Sequence, residues 1–465
     1  MKKQSDSEGE NLQRGLSERH VQLIAIGGAV GIGLFLASGS AIASAGPSLL
    51  LSYLLGGCIV YFIMRALGEV AVENPITGSF SAYANKFISP CAGFMVGWTY
   101  WFLWVVSSMT EVTAVGIYCS FWWPELPQWI PGLLSLLCIM CANLFSIKMF
   151  GEIEFWFSLI KVVTIVLIVL VGLAMIFLGL GNGGKIIGLH NLYALKGGFF
   201  PFGISGVLRS LGMVILAFVG IEFIGVTAGE VRNPEKSIPS SINKVLGGMI
   251  FFYVGTMFVL MCIYPWMNIT KGSGVSGSPF VATFSGLGIK QAAAIINFVV
   301  ITAALSSCNS GMFSNGRMLY NLALQNHAPQ FLGKLNSNKI PANGIIFSFF
   351  VSLIGVMLNY IMPDNVFMIL AGISTALGIW IFGVIVVVQM KSRKNKTHEE
   401  ISKLKYPMLF YPYSNYIAIL ALILTTYLLF VNKETRMSIL SLVWLLFIYI
   451  VYKLFVQKNE YNHNK

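Results

Sequence analysis

Charge is scarce in this sequence. Only 10% of its 465 residues are Asp, Glu, Lys or Arg, against about 25% in soluble globular domains. With 56% hydrophobic residues, the chain has too little polar material to wrap a core of that size, which excludes a water-soluble globular protein. Histidine is scarcer still. His20, His190, His327, His398 and His463 all fall in tails or polar loops. That excludes a zinc site of the His-Glu-x-x-His kind inside an apolar run, and no paired aspartates stand there either. No Gly-x-x-x-x-Gly-Lys-Ser/Thr loop is present, which excludes a nucleotide as the energy source. The seven cysteines are scattered. Cys138 and Cys141 form a Cys-x-x-Cys, but within an apolar run without a second pair, so they read as packing residues rather than metal ligands or a disulfide. The longest polar stretches are the N-terminal tail and residues 391–405, too short for a cytosolic catalytic or signalling module. The expectation is a protein that is not an enzyme, with no catalytic residues, no metal and no organic cofactor.

What the chain does have is apolar length. Twelve runs are long enough to cross a bilayer as helices: 21–44, 48–72, 92–120, 129–147, 152–179, 203–228, 243–264, 291–316, 342–361, 364–390, 411–431 and 437–456. The polar stretch Met1–His20 before the first run does not have the form of a cleavable signal peptide. An even number of spans puts both termini on one side. Of the 30 Lys and Arg, twenty-one then fall on the side of the termini and six on the other. By the positive-inside rule the termini are cytoplasmic. The net charge of +12 is thereby explained by topology, without a nucleic-acid partner. The expected layout is a tail at 1–20, one transmembrane domain at 21–456 and a tail at 457–465, in the inner (cytoplasmic) membrane. The tryptophans of the loop 121–129 read as an interfacial aromatic belt.

The first run is weak as a helix. Ile24-Ala25-Ile26-Gly27-Gly28-Ala29-Val30-Gly31-Ile32-Gly33 carries four glycines in seven residues, each costing a helix about 1 kcal/mol. The sixth run has Gly220 and Gly225 around Glu222. Glycine-interrupted spans at corresponding places in two halves point to a transporter built on inverted repeats, here 21–179 and 203–390, with two further spans at 411–456. Unwound backbone inside a bilayer is tolerated only where it faces a cavity or ligand. The amides that open the outer half-helix suit a carboxylate, and freed carbonyls suit an ammonium. A zwitterionic α-amino acid satisfies both. Two other readings of the glycines are a helix-packing face of small residues and a dinucleotide fingerprint. The latter fails because no strand precedes it and no βαβ unit follows.

The segment Arg19–Phe35 resembles the first-span signature of bacterial amino-acid permeases of the amino acid–polyamine–organocation superfamily. Ala45-Gly46-Pro47-Ser48, Met64-Arg65-Ala66-Leu67-Gly68-Glu69, Thr77-Gly78-Ser79-Phe80, Gly97-Trp98-Thr99-Tyr100-Trp101, Phe150–Phe157 and Ala228-Gly229-Glu230 with Asn233–Pro239 are similar to further family motifs. The likeness runs in order along nearly the whole chain. It is greatest to the permeases for D-serine, D-alanine and glycine and the related proline and threonine permeases. It implies an all-α membrane protein with 12 transmembrane helices, a LeuT-type 5+5 inverted repeat plus two C-terminal helices, a monomer or weak dimer, and proton-coupled uptake of small neutral amino acids. Exchange, or proline or threonine as substrate, are the alternatives. It also implies that the amides of Ile32 and Gly33 receive the substrate carboxylate and that the carbonyls of Ala29, Phe218 and Val219 face the ammonium. Val30 and Gly31 belong to the same run. Ile32 departs from the Thr, Ser or Ala commoner in the family, which keeps the backbone donor and makes the wall more apolar.

Ionisable residues inside spans are costly and are functional candidates. Lys161 matches a lysine tied to proton coupling in some members of the superfamily, and its plain alternative is a structural lysine held by Glu154. Glu222 is a candidate for substrate binding and for proton coupling or gating, and its plain alternative is holding the sixth-span break. Glu111, Ser306 and Asn309 are candidates for the pocket wall, with Ser307, Ser310, Ser374 and Thr375 nearby. Trp98, Trp101 and Trp104 recur at helical spacing and read as packing first, pocket wall second. Glu69, Glu152 and Glu230 sit at inner span ends, where pairs with Arg65, Lys148 or Arg232 are expected.

Overall fold

The computed structural model describes residues 31–75, 79–180, 183–195, 197–222, 225, 234–269, 278–287, 289–394, 396–433 and 435–457. Ala29, Val30, Glu230 and Arg232, together with the Lys148 side chain, lie outside the described residues. Among the described residues every regular element is helical. A π-helical turn, Gly33–Ala37, runs into α1 (Ser38–Ala45). Gly46 then takes φ 60°, a backbone shape that glycine adopts without strain. With Pro47 behind it, the turn separates α1 from α2 (Leu49–Glu73). There follow α3 (Ser79–Phe87), α4 (Pro90–Cys119), α5 (Trp129–Phe145), α6 (Ile147–Leu178) and α7 (Gly203–Phe218). Next come α8 (Pro234–Met249), a π turn Ile250–Gly255, α9 (Thr256–Ile263) and the short α10 (Pro279–Gly286). The chain ends with α11 (Lys290–Leu324), α12 (Ala342–Ile361), α13 (Pro363–Lys394), α14 (Tyr413–Val431) and α15 (Leu440–Val451).

Among the described residues, eight helical stretches are long and apolar enough to cross a membrane. The first of these, Gly33–Glu73, covers two of the expected runs. The shorter apolar helices α5, α7 and Ile250–Ile263 fall on three more. Two helices outrun their apolar runs: α8 starts at Pro234 rather than 243, and α11 continues to Leu324 rather than 316. Hydropathy marks only the part of a helix that meets lipid, and these ends carry polar residues beyond it. The start of α4 is sharp. The Ser89 hydroxyl accepts the Ala92 N–H at 3.2 Å, and Pro90 takes the first helical position, where no N–H is needed.

Helix α4 is the axis of the fold, packed against α3, α5, α11, α12 and α13. Of its apolar window 78% is buried, against 17% for the last span. The periphery is therefore α12, α14 and α15, whose Phe350, Met357, Tyr427, Leu446 and Phe447 are exposed as side chains facing lipid tails. The three tryptophans of α4 divide their tasks. Trp98 Nε1 donates to the His327 carbonyl at 3.0 Å and Trp101 Nε1 to Ser348 at 2.9 Å, while Trp104 turns to the interior cavity.

At the C-terminal end of α2 the expected pairing of Glu69 with Arg65 is replaced. Glu69 pairs with Arg393 Nε at 3.1 Å, and accepts Gln389 Nε2 at 2.8 Å and the Met408 N–H at 2.5 Å. Arg65 donates to the Pro407 carbonyl and lies 3.6 Å from the centre of the Tyr406 ring. The segment before α14 folds under α2 and offers each group its own partner, so the two charges one turn apart never need each other. Burial pushes the Tyr406 phenol above its usual range, against the pull of Arg65.

Candidate functional site

One cavity gathers residues from both interrupted spans. It is lined by Gly31, Ile32 and Gly33, by Trp104, Ser107, Thr110 and Glu111 of α4, by Leu216, Ala217 and Val219 at the end of α7, by Ser307 of α11 and by Ser374 of α13. About 510 Å³ of space, including open solvent, lies between these residues.

The floor is backbone. The first bond of the outer half-helix runs from the Leu34 N–H to the Gly31 carbonyl at 3.2 Å. The amides of Ile32 and Gly33 precede it, and the leading amides of a helix have no partner within it. Gly33 is required by proximity: a Cβ there would stand 2.5 Å from the Ala217 Cα. The two spans therefore touch backbone to backbone, and Val219 and Ile32 come to line the same space. Ile32 is buried, at 5% exposure.

The sixth span unwinds as α7 ends. Val219 takes an extended conformation and Gly220 takes φ 107°, a region open to glycine and strained for other residues. Glu222 holds this turn by accepting the Gly220 N–H on Oε2 at 2.8 Å. Its Oε1 is buried without a hydrogen-bond partner among the described residues. Glu222 does not itself line the cavity. The Phe218 side chain points away, against Tyr253 with ring centres 5.0 Å apart, and its carbonyl accepts the Ile221 N–H at 3.3 Å.

Glu111 is the one ionisable side chain in the wall among the described residues. It hydrogen-bonds Ser307, and its Oε2 has no hydrogen-bond partner among the described residues. The Ser374 hydroxyl is likewise buried without one. Ser306 and Asn309 turn the other way. Lys161 Nζ donates to Ser306 Oγ at 2.9 Å, and Ser306 donates to Glu154 Oε1 at 2.6 Å. Asn309 Nδ2 reaches Glu154 Oε2 at 3.4 Å, and Asn143 Nδ2 donates to Asn309 Oδ1 at 2.9 Å. Lys161 is 1% exposed and Glu154 fully buried. Adjacent serines on α11 thus serve two places: Ser307 the cavity, Ser306 the lysine.

Sequence reading placed Gly31, Ile32, Gly33, Val219 and Glu111 near the site, and the structure brings these five together. It missed Ser107, Thr110, Leu216 and Ala217. Trp104, Ser107 and Glu111 recur at three- and four-residue spacing, a signal that was available once Glu111 was placed on the wall.

The chain has relatives among known proteins. The sequence model of the family described as "Amino acid permease" matches residues 20–462. The chain is 49% identical over 453 residues to the "Uncharacterized amino acid permease YtnA" of Bacillus subtilis (strain 168), covering 97% of each chain. It is 45% identical over 445 residues to the "Amino-acid permease AapA" of the same organism, covering 96% of this chain and 95% of that one. To its "Probable threonine/serine transporter YbxG" it is 43% identical over 447 residues, 96% of each. Membership of a permease family, and not of an enzyme family, follows from coverage of this extent, and with it a multi-pass membrane setting and an amino acid as the transported substrate. This chain belongs to the amino acid permease family.

Proposed function

We propose that the chain is a secondary active transporter that takes up small neutral amino acids of the alanine, serine and glycine type with a proton, by alternating access across the cytoplasmic membrane. The observation that carries this reading is the cavity itself, where the leading amides of Gly31–Gly33 and the extended backbone at Val219 meet. Those amides receive the carboxylate at the positive end of the half-helix dipole. The opposite wall, with Glu111 and the carbonyls of the unwound segment, receives the ammonium. The side chain then meets Ile32, Trp104 and a few hydroxyls, with no basic group lining the space among the described residues. That favours a short, uncharged side chain.

The twelve spans, the 5+5 inverted repeat and cytoplasmic termini belong to the same reading. Within it, α10 is an outer cover. The Ser278 hydroxyl donates to the Phe35 carbonyl at 2.9 Å, and the Phe280 ring lies 4.7 Å from that of Phe35 at a tilt of 52°, which holds α10 against the first span. Lys161 loads and releases the coupling proton behind the cavity. Ser107, Thr110, Ser307 and Ser374 favour serine or threonine as a second reading of the substrate, and the printed name of YbxG agrees with it.

The test is uptake of labelled alanine, serine, threonine and proline into proteoliposomes, with and without an inward proton gradient. Accumulation driven by the gradient is the expected outcome. No uptake of any amino acid refutes transport, and equal counterflow at all gradients makes the protein an exchanger. Lys161→Ala is expected to abolish gradient-driven accumulation, and unchanged accumulation removes Lys161 from the mechanism.

A further inference from the structure

Behind the cavity lies a chain of polar groups that substrate binding does not use. Lys161, Ser306, Glu154, Asn309 and Asn143 are all buried, and each is bonded to the next: Lys161 to Ser306 at 2.9 Å, Ser306 to Glu154 at 2.6 Å, Asn309 to Glu154 at 3.4 Å, Asn143 to Asn309 at 2.9 Å. Ser158, one turn from Glu154 on α6, donates to Glu154 Oε1 at 3.3 Å. A carboxylate with three hydrogen-bond contacts in the core of a membrane protein is an expensive group to maintain. Packing alone gives no reason for it, since an apolar side chain would fill the same space.

The order of the groups supplies a reason. Ser306 is the only described bridge between the ammonium and the carboxylate. Its oxygen accepts from Lys161 while its proton points to Glu154. That is the arrangement in which a hydroxyl passes a proton by exchanging it.

Resting on the reading of proton-coupled uptake through Lys161, we propose that Glu154 is the second end of the proton site, exchanging a proton with Lys161 through the Ser306 hydroxyl. In the transfer an N–H bond of Lys161 breaks as an O–H bond forms on Ser306. The serine's original O–H breaks as an O–H forms on Glu154. The ammonium becomes an amine and the carboxylate an acid, so the unit stays neutral while its proton moves. A proton from the outer solution then returns the amine to ammonium and leaves the unit with one positive charge. Delivery to the inner solution restores the pair. In that loaded state Glu154 is neutral, and Glu111, the other carboxylate that acts on Lys161, is the group left to offset the buried positive charge that a low dielectric penalises.

The charged groups facing the unit are few. The two carboxylates that act on Lys161 are Glu154 on its own helix and Glu111 from α4. From α11 come Ser306 and Asn309, with Cys308 turned toward Glu111 and Ser108, and from α5 comes Asn143. Glu111 lines the cavity and meets the substrate, whereas Glu154 is separated from it by α11. The two carboxylates are thus assigned different tasks.

The experiment uses the full-length protein in proteoliposomes and compares gradient-driven accumulation with counterflow for wild type, Glu154→Gln, Ser306→Ala and Ser306→Thr. Glu154→Gln keeps the shape and removes the acid. Its ratio of gradient-driven to counterflow flux is expected to fall about tenfold or more, because a coupling step is lost rather than a binding contact. Ser306→Ala is expected to follow it, and Ser306→Thr, which keeps the hydroxyl, to restore most of the ratio. Wild-type coupling in Glu154→Gln overturns the proposal. So does an equal fall of both fluxes, the mark of a merely structural residue, or Ser306→Thr behaving as Ser306→Ala. A wild-type protein indifferent to the gradient overturns the proton reading as well, so the two failures are distinguishable.

Discussion

A methyl group at position 33 has nowhere to go. Its carbon would lie 2.5 Å from the Ala217 Cα and 3.1 Å from the Ala217 Cβ, and backbone cannot swing aside as a long side chain can. Overpacking of this kind costs about 1–3 kcal/mol, and here it also pushes the leading amides of the half-helix away from the space that Val219 lines. Gly33→Ala is therefore expected to lower both the melting temperature in detergent and the initial rate of uptake, the latter about tenfold or more, because a misplaced binding group costs rate far beyond its stability term. Wild-type uptake in this variant would remove the close contact between the two spans from the mechanism. Ser306 and Asn309 show what residue-level reading misses. Both looked like pocket residues in the sequence because both are polar and at mid-span. Which way a side chain points around α11 depends on where α6 packs, and only the assembled fold contains that.

A short helical turn at His398–Ser402 is the clearest case at the level of elements. It carries no apolar run, so hydropathy passes over it, yet its capping box is written in the chain. The Thr397 hydroxyl accepts the Glu400 N–H at 3.3 Å, and Glu400 Oε2 accepts the Thr397 N–H at 2.7 Å. The backbone N–H of Thr397 holds the Glu400 carboxyl below its usual range. A carboxyl whose folded value is depressed adds stability above its unfolded value and loses it as pH falls through the folded one. Amide exchange at Glu400 and Ile401, corrected for intrinsic rates, is expected to speed up as pH drops from neutral through the carboxylate range. Thr397→Ala is expected to exchange fast throughout, and a pH-independent rate in the wild type would refute the cap. The larger elements were more legible. The turn at Gly220 in the sixth span was readable because glycine has few reasons to stand inside an apolar helix, whereas Gly27 and Gly28 of the first span lie outside the described residues. The helices α3 and α10 were not, because each is short and lies outside the long apolar runs. Nor was the clamp of Glu69 on Arg393 and Met408, which joins residues more than 300 positions apart and has no local signature.

At the scale of the whole molecule, what remains to be fixed is which way it faces. The hydrophobic runs define a slab, and a slab alone has no direction. Direction comes from the basic residues, twenty-one on the side of the termini against six on the other, and each misplaced Lys or Arg resists transfer across the bilayer during insertion. The last turn of α13 and the segment after it are the most basic, with Lys391, Arg393, Lys394, Lys396, Lys403 and Lys405. It is tied to the body by the Lys396–Glu73 pair at 3.1 Å and by the pair of Lys405 with Glu235. Opposite it stands Lys433, in the turn between α14 and the last span. Cysteine introduced at Lys433 is expected to react with a membrane-impermeant maleimide in intact cells, and cysteine at Lys403 only after permeabilisation. The reverse pattern would turn the molecule over. The cover formed by Ser278 and Phe280 on Phe35 would then close the cytoplasmic side, and the Glu69–Arg393 clamp would lie under the outer surface. The labelling result therefore decides more than orientation: it identifies which side of the membrane the α10 cover on Phe35 faces and which side the Glu69–Arg393 clamp faces.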